Sequence, residues 1–319
     1  MKLPSDNVPR VVADGSLAEA IRQLLAGKVE LLPWSVALQG CGSPVDAVYT
    51  YGHPTLNGNM LDRLKGVRVI SNYGVGVDHI DVAAATARNI PVGNTPGILD
   101  GATADMAWTL LLAAGRRLIE GARYARSELF TSYDPGYMLG REIHGTTLGI
   151  VGMGRVGRQI ARRAAGFNMQ VIYHNRHRDT ENEKELAAKY VSFDELLTRA
   201  DYVVLSVPLT EQTTGLMGPT ELRQMKPTAI LINIARGPVV DTDALVEVLQ
   251  QREIYAAGLD VTDPEPLPRD HPLLKLDNVT IAPHFGSATQ QTRQKMAEIS
   301  VENLLLGLGG QPLLHRVGG

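Results

Sequence analysis

Leu148-Gly149-Ile150-Val151-Gly152-Met153-Gly154-Arg155-Val156-Gly157 decides the fold of this chain. An apolar run ends in a glycine-rich turn, and residues 155–166 then read as a helix, giving strand, tight turn and helix in succession. The glycines fall in the pattern G-x-G-x-x-G. Gly152 permits the turn, Gly154 lets backbone come close to a pyrophosphate, and Gly157 lets the helix pack against the strand. The helix N-terminus adds unsatisfied N–H groups and a partial positive charge where phosphates would lie. Such turns are common singly, so context carries the reading: a second strand over 169–174 follows at the spacing of a βαβ unit. Gly152, Met153, Gly154, Arg155, Val156 and Gly157 are therefore predicted to hold a dinucleotide.

Outward from this turn, short apolar runs and amphipathic stretches alternate. Upstream, the pattern predicts strands over 10–14, 45–51, 67–71 and 90–94, helices over 17–26 and 82–88, and a long apolar helix over 102–117. Residues 128–146 read as irregular. Downstream come helices near 181–188, 219–225 and 242–250, strands over 202–207, 229–234, 256–260 and 279–282, and a closing helix over 289–306. The alternation predicts an α/β protein of two doubly wound parallel-sheet domains, Rossmann or flavodoxin-like, with a cleft between them. Because the dinucleotide unit begins near residue 100, the simplest layout inserts a dinucleotide-binding domain, 100–288, into a substrate-binding domain made of 1–99 and 289–319. Ligands of such sheets bind beyond the carboxyl ends of the strands. The loop Tyr73-Gly74-Val75-Gly76 is thus a candidate for holding an anion by backbone N–H groups, an ordinary strand-to-helix turn being the plain alternative.

Composition bounds the classes of function. At 319 residues the chain can fill two domains, and 44% hydrophobic residues argue against disorder. A formal net charge of −3 excludes a general nucleic-acid surface, so the cluster Arg116, Arg117, Arg123 and Arg126 reads as a solvated helix face. Cys41 is the only cysteine, which rules out an internal disulfide and a cysteine metal site. Met1 to Asp6 lead into no apolar signal core, and no run is long enough to span a bilayer. A soluble, cytoplasmic protein with no membrane or nucleic-acid partner is the expectation.

The end of the second dinucleotide strand reads the adenosine ribose, and an acidic residue there favours NAD. Here the sequence is His174-Asn175-Arg176-His177-Arg178. Asn175 would not repel a 2′-phosphate, and Arg176 and Arg178 could contact one through charge-assisted bonds. NADPH is predicted over NADH. No carboxylate or cysteine stands near His174 and His177 to complete a metal site.

Three polar residues stand at predicted strand ends: Arg236 in Asn233–Gly237, Glu265 in Gly258–Pro266, and His284 in Ala282–Thr289. Singly, each has a plain account as a surface cation, a proline-flanked loop carboxylate and a strand-end histidine. Together, beyond a dinucleotide turn, an arginine, a carboxylate and a histidine can converge on one crevice.

With these motifs in order, the chain resembles the D-isomer-specific 2-hydroxyacid dehydrogenases over nearly its whole length, and within them the glyoxylate reductase/hydroxypyruvate reductase group. The run Asp263-Pro264-Glu265-Pro266-Leu267-Pro268, followed by His271-Pro272-Leu273-Leu274, is similar to that group's, as is the non-acidic end of the second strand. The resemblance implies reduction of a small 2-keto acid, glyoxylate or hydroxypyruvate, to glycolate or D-glycerate. It implies that Arg236 pairs with the substrate carboxylate and keto oxygen, that His284 is the general acid, and that Glu265 orients the imidazole and favours its protonated form. Val75 and Gly76 would offer N–H groups to the carboxylate. Thr103, Val207, Pro208, Ile234, Ala235, Asp260 and Gly286 would contact the cofactor. A homodimer through segment 101–140 is implied as well. Where the group places tryptophans in the arm reaching the neighbouring subunit, this chain has Tyr133 and Tyr137, which brings 2-ketogluconate in as an alternative substrate. A reading of another class, a cofactor-sensing interaction protein like the corepressors that share this fold, would call for added binding tails, which the chain almost lacks.

Overall fold

A computed structural model describes residues 8–40 and 42–318. The start of the chain and Cys41, both read above from composition, lie outside the described residues, as does Gly319. In chain order the elements are β1 (Arg10–Ala13), α1 (Glu19–Leu25), β2 (Glu30–Pro33), α2 (Ser35–Gln39), β3 (Ala47–Thr50), α3 (Gly58–Arg63), β4 (Val69–Asn72), α4 (Val82–Ala87) and β5 (Val92–Gly93). Next come α5 (Asp100–Gly115), α6 (Leu118–Ala125), β6 (Thr147–Val151), α7 (Arg155–Ala164), β7 (Gln170–His174), α8 (Thr180–Leu186), β8 (Ala188–Tyr190) and α9 (Phe193–Arg199). The chain continues through β9 (Tyr202–Leu205), α10 (Pro219–Gln224), β10 (Ile230–Asn233), α11 (Thr242–Gln250), β11 (Ala256–Leu259), β12 (Val279–Ile281) and α12 (Gln290–Leu308). Two compact units result, one running to Leu99 and resuming at Thr289, the other spanning Asp100–Ala288.

The first unit is a five-stranded parallel sheet ordered β2-β1-β3-β4-β5, the flavodoxin-like order. Its strands show why both faces are covered. Val11, Ala47, Tyr49 and Val69 enter a core with α1 and α12, while Val12, Val48 and Ile70 enter a second core with α2, α3 and α4. Successive side chains of a strand point to opposite faces, so an unbroken apolar run needs helices on both sides. Gly307 is required where α12 crosses β4, since a Cβ there would come within 2.5 Å of Val69.

The second unit is a seven-stranded parallel sheet ordered β12-β11-β10-β9-β6-β7-β8. Counted within the unit this is the dinucleotide-binding order 3-2-1-4-5-6 with one strand added, and it reverses between β6 and β9. Leu148, Ile150, Tyr173, Val204 and Ile232 pack with α5 and α7 on one face. Ile172, Val203, Leu205, Leu231 and Leu259 pack with α9, α10 and α11 on the other. Trp108 of α5 donates its indole N–H to the Ile160 carbonyl at 3.1 Å and stacks on Phe167, with ring centroids 4.5 Å apart, tying α5 to α7.

The two parallel-sheet domains are as expected from the sequence. Several small elements are not: β2, β8, α2, α3, α6 and α9 were not anticipated. The strands β2 (Glu-Leu-Leu-Pro) and β8 (Ala-Lys-Tyr) lie at sheet edges, where one side faces solvent and the sequence carries charge or proline instead of an apolar run. The predicted strand 90–94 shortens to Val92–Gly93. Beyond it, Thr95 turns its N–H to the carbonyl of Gly74.

Candidate active site

The turn after β6 has the geometry its glycines require. Gly152 takes φ +100°, open mainly to glycine, and a Cβ there would meet the Ser206 carbonyl at 2.8 Å and Val207 at 2.9 Å. Ser206 donates its hydroxyl hydrogen to the Gly152 carbonyl at 2.6 Å, locking the turn to the end of β9. A Cβ on Gly157 would come within 2.2 Å of that carbonyl, so α7 approaches the turn as closely as backbone allows. Gly154 differs: a Cβ there would meet nothing within 4 Å, so this glycine faces open space. The first intrahelical bond of α7 runs from Arg158 N–H to Gly154, which leaves the N–H groups of Arg155, Val156 and Gly157 without intrahelical acceptors. Tight packing at the two outer glycines and a clear face at the middle one fit a pyrophosphate laid on the helix N-terminus.

At the end of β7, Asn175 accepts the Met153 N–H through Oδ1 at 2.6 Å. Its side chain thus joins the two loops that would flank the adenosine. Arg176 is exposed, and among the described residues no carboxylate pairs with it. Arg178 is engaged: its Nε and Nη2 reach the two carboxylate oxygens of Glu183 at 2.7 and 2.8 Å.

The three candidate catalytic residues lie on loops after β10, β11 and β12. Asn233, buried at the end of β10, accepts the Ala235 N–H at 3.0 Å and donates to the Arg236 carbonyl at 2.9 Å, shaping the turn that carries Arg236. Gly237 presses against the Glu265 loop so closely that a Cβ would lie 2.0 Å from the Thr262 carbonyl oxygen. Asp260, buried at the end of β11, accepts the N–H groups of Phe285 and Gly286 at 2.6 and 2.7 Å, and its carbonyl accepts the His284 N–H at 2.8 Å. Burial pushes the Asp260 carboxyl up from its ordinary range, against the pull of those two backbone bonds. So anchored, His284 sits at φ +58°, a left-handed conformation that costs a non-glycine residue about 1–3 kcal/mol and survives only where surroundings impose it.

The His284 ring donates from Nδ1 to Glu265 Oε1 at 2.7 Å. The other Glu265 oxygen accepts the Thr262 N–H at 3.2 Å. Burial alone would push the Glu265 carboxyl up, but the hydrogen bond and charge of His284, the Thr262 N–H and the Arg236 charge together hold it below its ordinary value. The structure therefore brings Arg236, Glu265 and His284 together: an ionised carboxylate bonded to Nδ1 of the histidine and within the field of the guanidinium, with Nε2 on the other side of the imidazole ring. Thr103 and Asp260 both pack against Gly286, so these three cofactor candidates share one corner of the unit. Val207 lies against Gly152, and Ile234 and Ala235 are buried at the end of β10.

Sequence reasoning missed Asn233 and gave Asp260 only as a cofactor contact. Asp260 is the anchor of the His284 loop, a role visible only once the Phe285 and Gly286 N–H groups are placed. In the other unit, Asn72 donates to the carbonyls of Gly74 and Gly76 at 3.1 and 2.9 Å, and Asn94 donates to that of Val75 at 2.9 Å. Three successive carbonyls of this loop are thus held by side-chain amides. Neither asparagine was singled out from the sequence; a polar residue ending an apolar run was the available signal.

Fold and site together define a nicotinamide-dependent oxidoreductase, and the chain belongs to the D-isomer-specific 2-hydroxyacid dehydrogenases, whose NAD-binding domain model matches residues 108–286. Among its relatives is a glyoxylate reductase of Thermococcus gammatolerans, 47% identical over 271 residues, or 84% of this chain and 81% of that one. Solved structures with the same fold include the TT0316 protein of Thermus thermophilus, 43% identical with TM-score 0.88 over 97% of this chain and 99% of that one. Another is an NADPH-dependent glyoxylate/hydroxypyruvate reductase of Sinorhizobium meliloti in complex with NADP and malonate, 30% identical with TM-score 0.89 over 98% and 97% of the two chains. The chain is accordingly an NAD(P)-linked oxidoreductase that interconverts 2-keto and 2-hydroxy acids. No helix among the described residues is long and apolar enough to cross a membrane, and these residues form no cluster that could hold a metal ion.

Proposed function

We propose that the protein reduces glyoxylate and hydroxypyruvate to glycolate and D-glycerate, with NADPH preferred to NADH. The observation that carries the reading is the 2.7 Å bond from His284 Nδ1 to a Glu265 carboxylate held ionised beside Arg236. The bound nicotinamide dinucleotide supplies the hydride; the chain supplies the remainder. Arg236 offers a guanidinium fork to the substrate carboxylate and keto oxygen, which orients the carbonyl. In the first unit, the Val75 and Gly76 N–H groups are the candidate donors to a carboxylate, as the family resemblance implies. With Nδ1–H donated to Glu265, His284 delivers its Nε2 proton to the carbonyl oxygen as charge develops there, a contribution of about 10²–10⁴-fold for a placed general acid. Glu265, by accepting Nδ1–H, keeps the ring in one orientation. The first domain serves the substrate and the inserted domain, Asp100–Ala288, the dinucleotide, on the turn Gly152–Gly157.

The NADPH preference rests on Arg176, exposed beside a neutral Asn175 where an acidic residue would select NAD. The homodimer rests on the segment after α5. Leu118, Ile119, Leu129, Phe130, Tyr133, Tyr137 and Leu139 are all exposed in this unit, with Tyr133 83% accessible. A run of exposed apolar residues that long marks a protein–protein surface. Initial rates with glyoxylate, hydroxypyruvate and 2-ketogluconate, each with NADPH and NADH, test the whole reading. Fast turnover of either of the first two with NADPH supports it, and Arg176→Ala should then weaken NADPH much more than NADH. Turnover of 2-ketogluconate alone would replace the substrate assignment, and silence with every pair would overturn the function.

A further inference from the structure

We propose that Glu183 sets how strongly the β7–α8 loop selects a 2′-phosphorylated dinucleotide, by holding the charge of Arg178; the proposal rests on the NADPH reading above. The basic loop contains two arginines, and the structure treats them differently. Arg176 is exposed, whereas Arg178 lies side-on along Glu183, with Nε–Oε1 at 2.7 Å and Nη2–Oε2 at 2.8 Å. An exposed ion pair between two mobile side chains has little hold on either. Here one end is fixed. Glu183 Oε1 also accepts the Tyr173 hydroxyl hydrogen at 2.9 Å, and Tyr173 is a buried core residue of β7. The Tyr173 oxygen in turn accepts the Asp179 N–H at 2.9 Å, and Asp179 caps α8 by accepting the Asn182 N–H at 3.2 Å. The Glu183 side chain is 13% exposed against 59% for Arg178, so the carboxylate is the anchor and the guanidinium the held partner.

The consequence is a matter of charge. A phosphate dianion arriving at this loop meets Arg176 in full, but it meets Arg178 with a carboxylate already on the other edge of its guanidinium. The three side chains sum to one positive charge instead of two. Glu183 thereby moderates the preference for the phosphorylated cofactor without touching the ribose end that both cofactors share. It acts through Arg178 as a positioning residue.

Glu183→Gln keeps the shape and an oxygen for the Tyr173 hydroxyl while removing the charge. With 2′,5′-ADP and 5′-AMP as probes, calorimetry on the full chain should show E183Q binding 2′,5′-ADP about fivefold tighter than wild type, with 5′-AMP unchanged. In steady state the KM for NADPH should fall by the same factor at constant kcat, the mark of altered ground-state binding. Adding Arg178→Ala to E183Q should cancel the gain. An E183Q affinity for 2′,5′-ADP that is unchanged or weaker, an equal gain for 5′-AMP, or a gain that survives R178A would overturn the proposal. Arg176→Ala tests the underlying reading separately. If R176A binds 2′,5′-ADP as well as wild type does, the NADPH assignment of that residue falls, and the coupling between positions 178 and 183 still decides the role of Glu183.

Discussion

Adding a single methyl group at Gly237 should disable the protein, although the position neither touches substrate nor needs an unusual backbone angle. The Cβ of Gly237→Ala would lie 2.0 Å from the Thr262 carbonyl oxygen, 2.2 Å from its carbon and 2.6 Å from the Asp263 nitrogen. All three atoms are backbone, so no side chain can swing away. Real Cβ contacts rarely fall below 3.0 Å, so the two loops would have to part by about 1 Å. Overpacking of this kind costs about 1–3 kcal/mol, and here the upper end applies because both sides are main chain. For a unit of this size that lowers the unfolding midpoint by about 6–12 °C. Function should suffer more than stability. Arg236 precedes Gly237 and Glu265 follows Thr262, so the displacement separates the guanidinium from the carboxylate that holds His284. A misplacement of about 1 Å costs about 10²-fold in turnover. Thermal unfolding followed by circular dichroism, with kcat measured well below the midpoint, reads both effects. Gly154→Ala is the control: its Cβ meets nothing within 4 Å, so its unfolding midpoint should stay at the wild-type value while dinucleotide binding weakens. A G237A protein with wild-type midpoint and kcat would refute the reasoning.

Other consequences follow from the same geometry. His284→Ala should lower kcat by about 10²–10⁴-fold while dinucleotide affinity, read by fluorescence titration, stays close to wild type. Glu265 is held below its ordinary range in the native state, so the stability it contributes is present above its unfolded value of 4.5 and is lost as pH falls through the lower folded value. The stability advantage of wild type over Glu265→Gln, measured by urea unfolding, should therefore be level at neutral pH and shrink on acidification below 4.5. An advantage that grew instead would invert the assignment. Leu129→Glu combined with Tyr133→Glu, at sites 74% and 83% exposed, should give a monomer by analytical ultracentrifugation with an unchanged unfolding midpoint for each unit. A wild-type chain already monomeric at micromolar concentration would remove the dimer.

The sequence by itself determined the class of fold and singled out the residues of the candidate site. Unbroken apolar runs such as Tyr202–Leu205, alternating with helical periods, are satisfied by a parallel sheet covered on both faces, and the spacing Gly152, Gly154, Gly157 marks where the chain turns toward an anion. Arg236, Glu265 and His284 stood out only together, as ionisable residues in the loops after three apolar runs, and the family resemblance supplied their roles. Edge strands such as Glu30–Pro33 were not legible, because half of their surroundings is solvent and the period that reports burial is missing. Only the tertiary structure decided how the site is held. Asp260, given from the sequence as a cofactor contact, also grips the N–H groups of Phe285 and Gly286 and fixes His284 at φ +58°. Arg176 and Arg178 looked alike in the sequence and both are exposed, yet only Arg178 lies along Glu183, anchored in turn by Tyr173. Hydrogen bonds between residues far apart in the chain depend on distance and direction. A one-dimensional pattern carries burial and turn chemistry, and it does not carry which donor meets which acceptor.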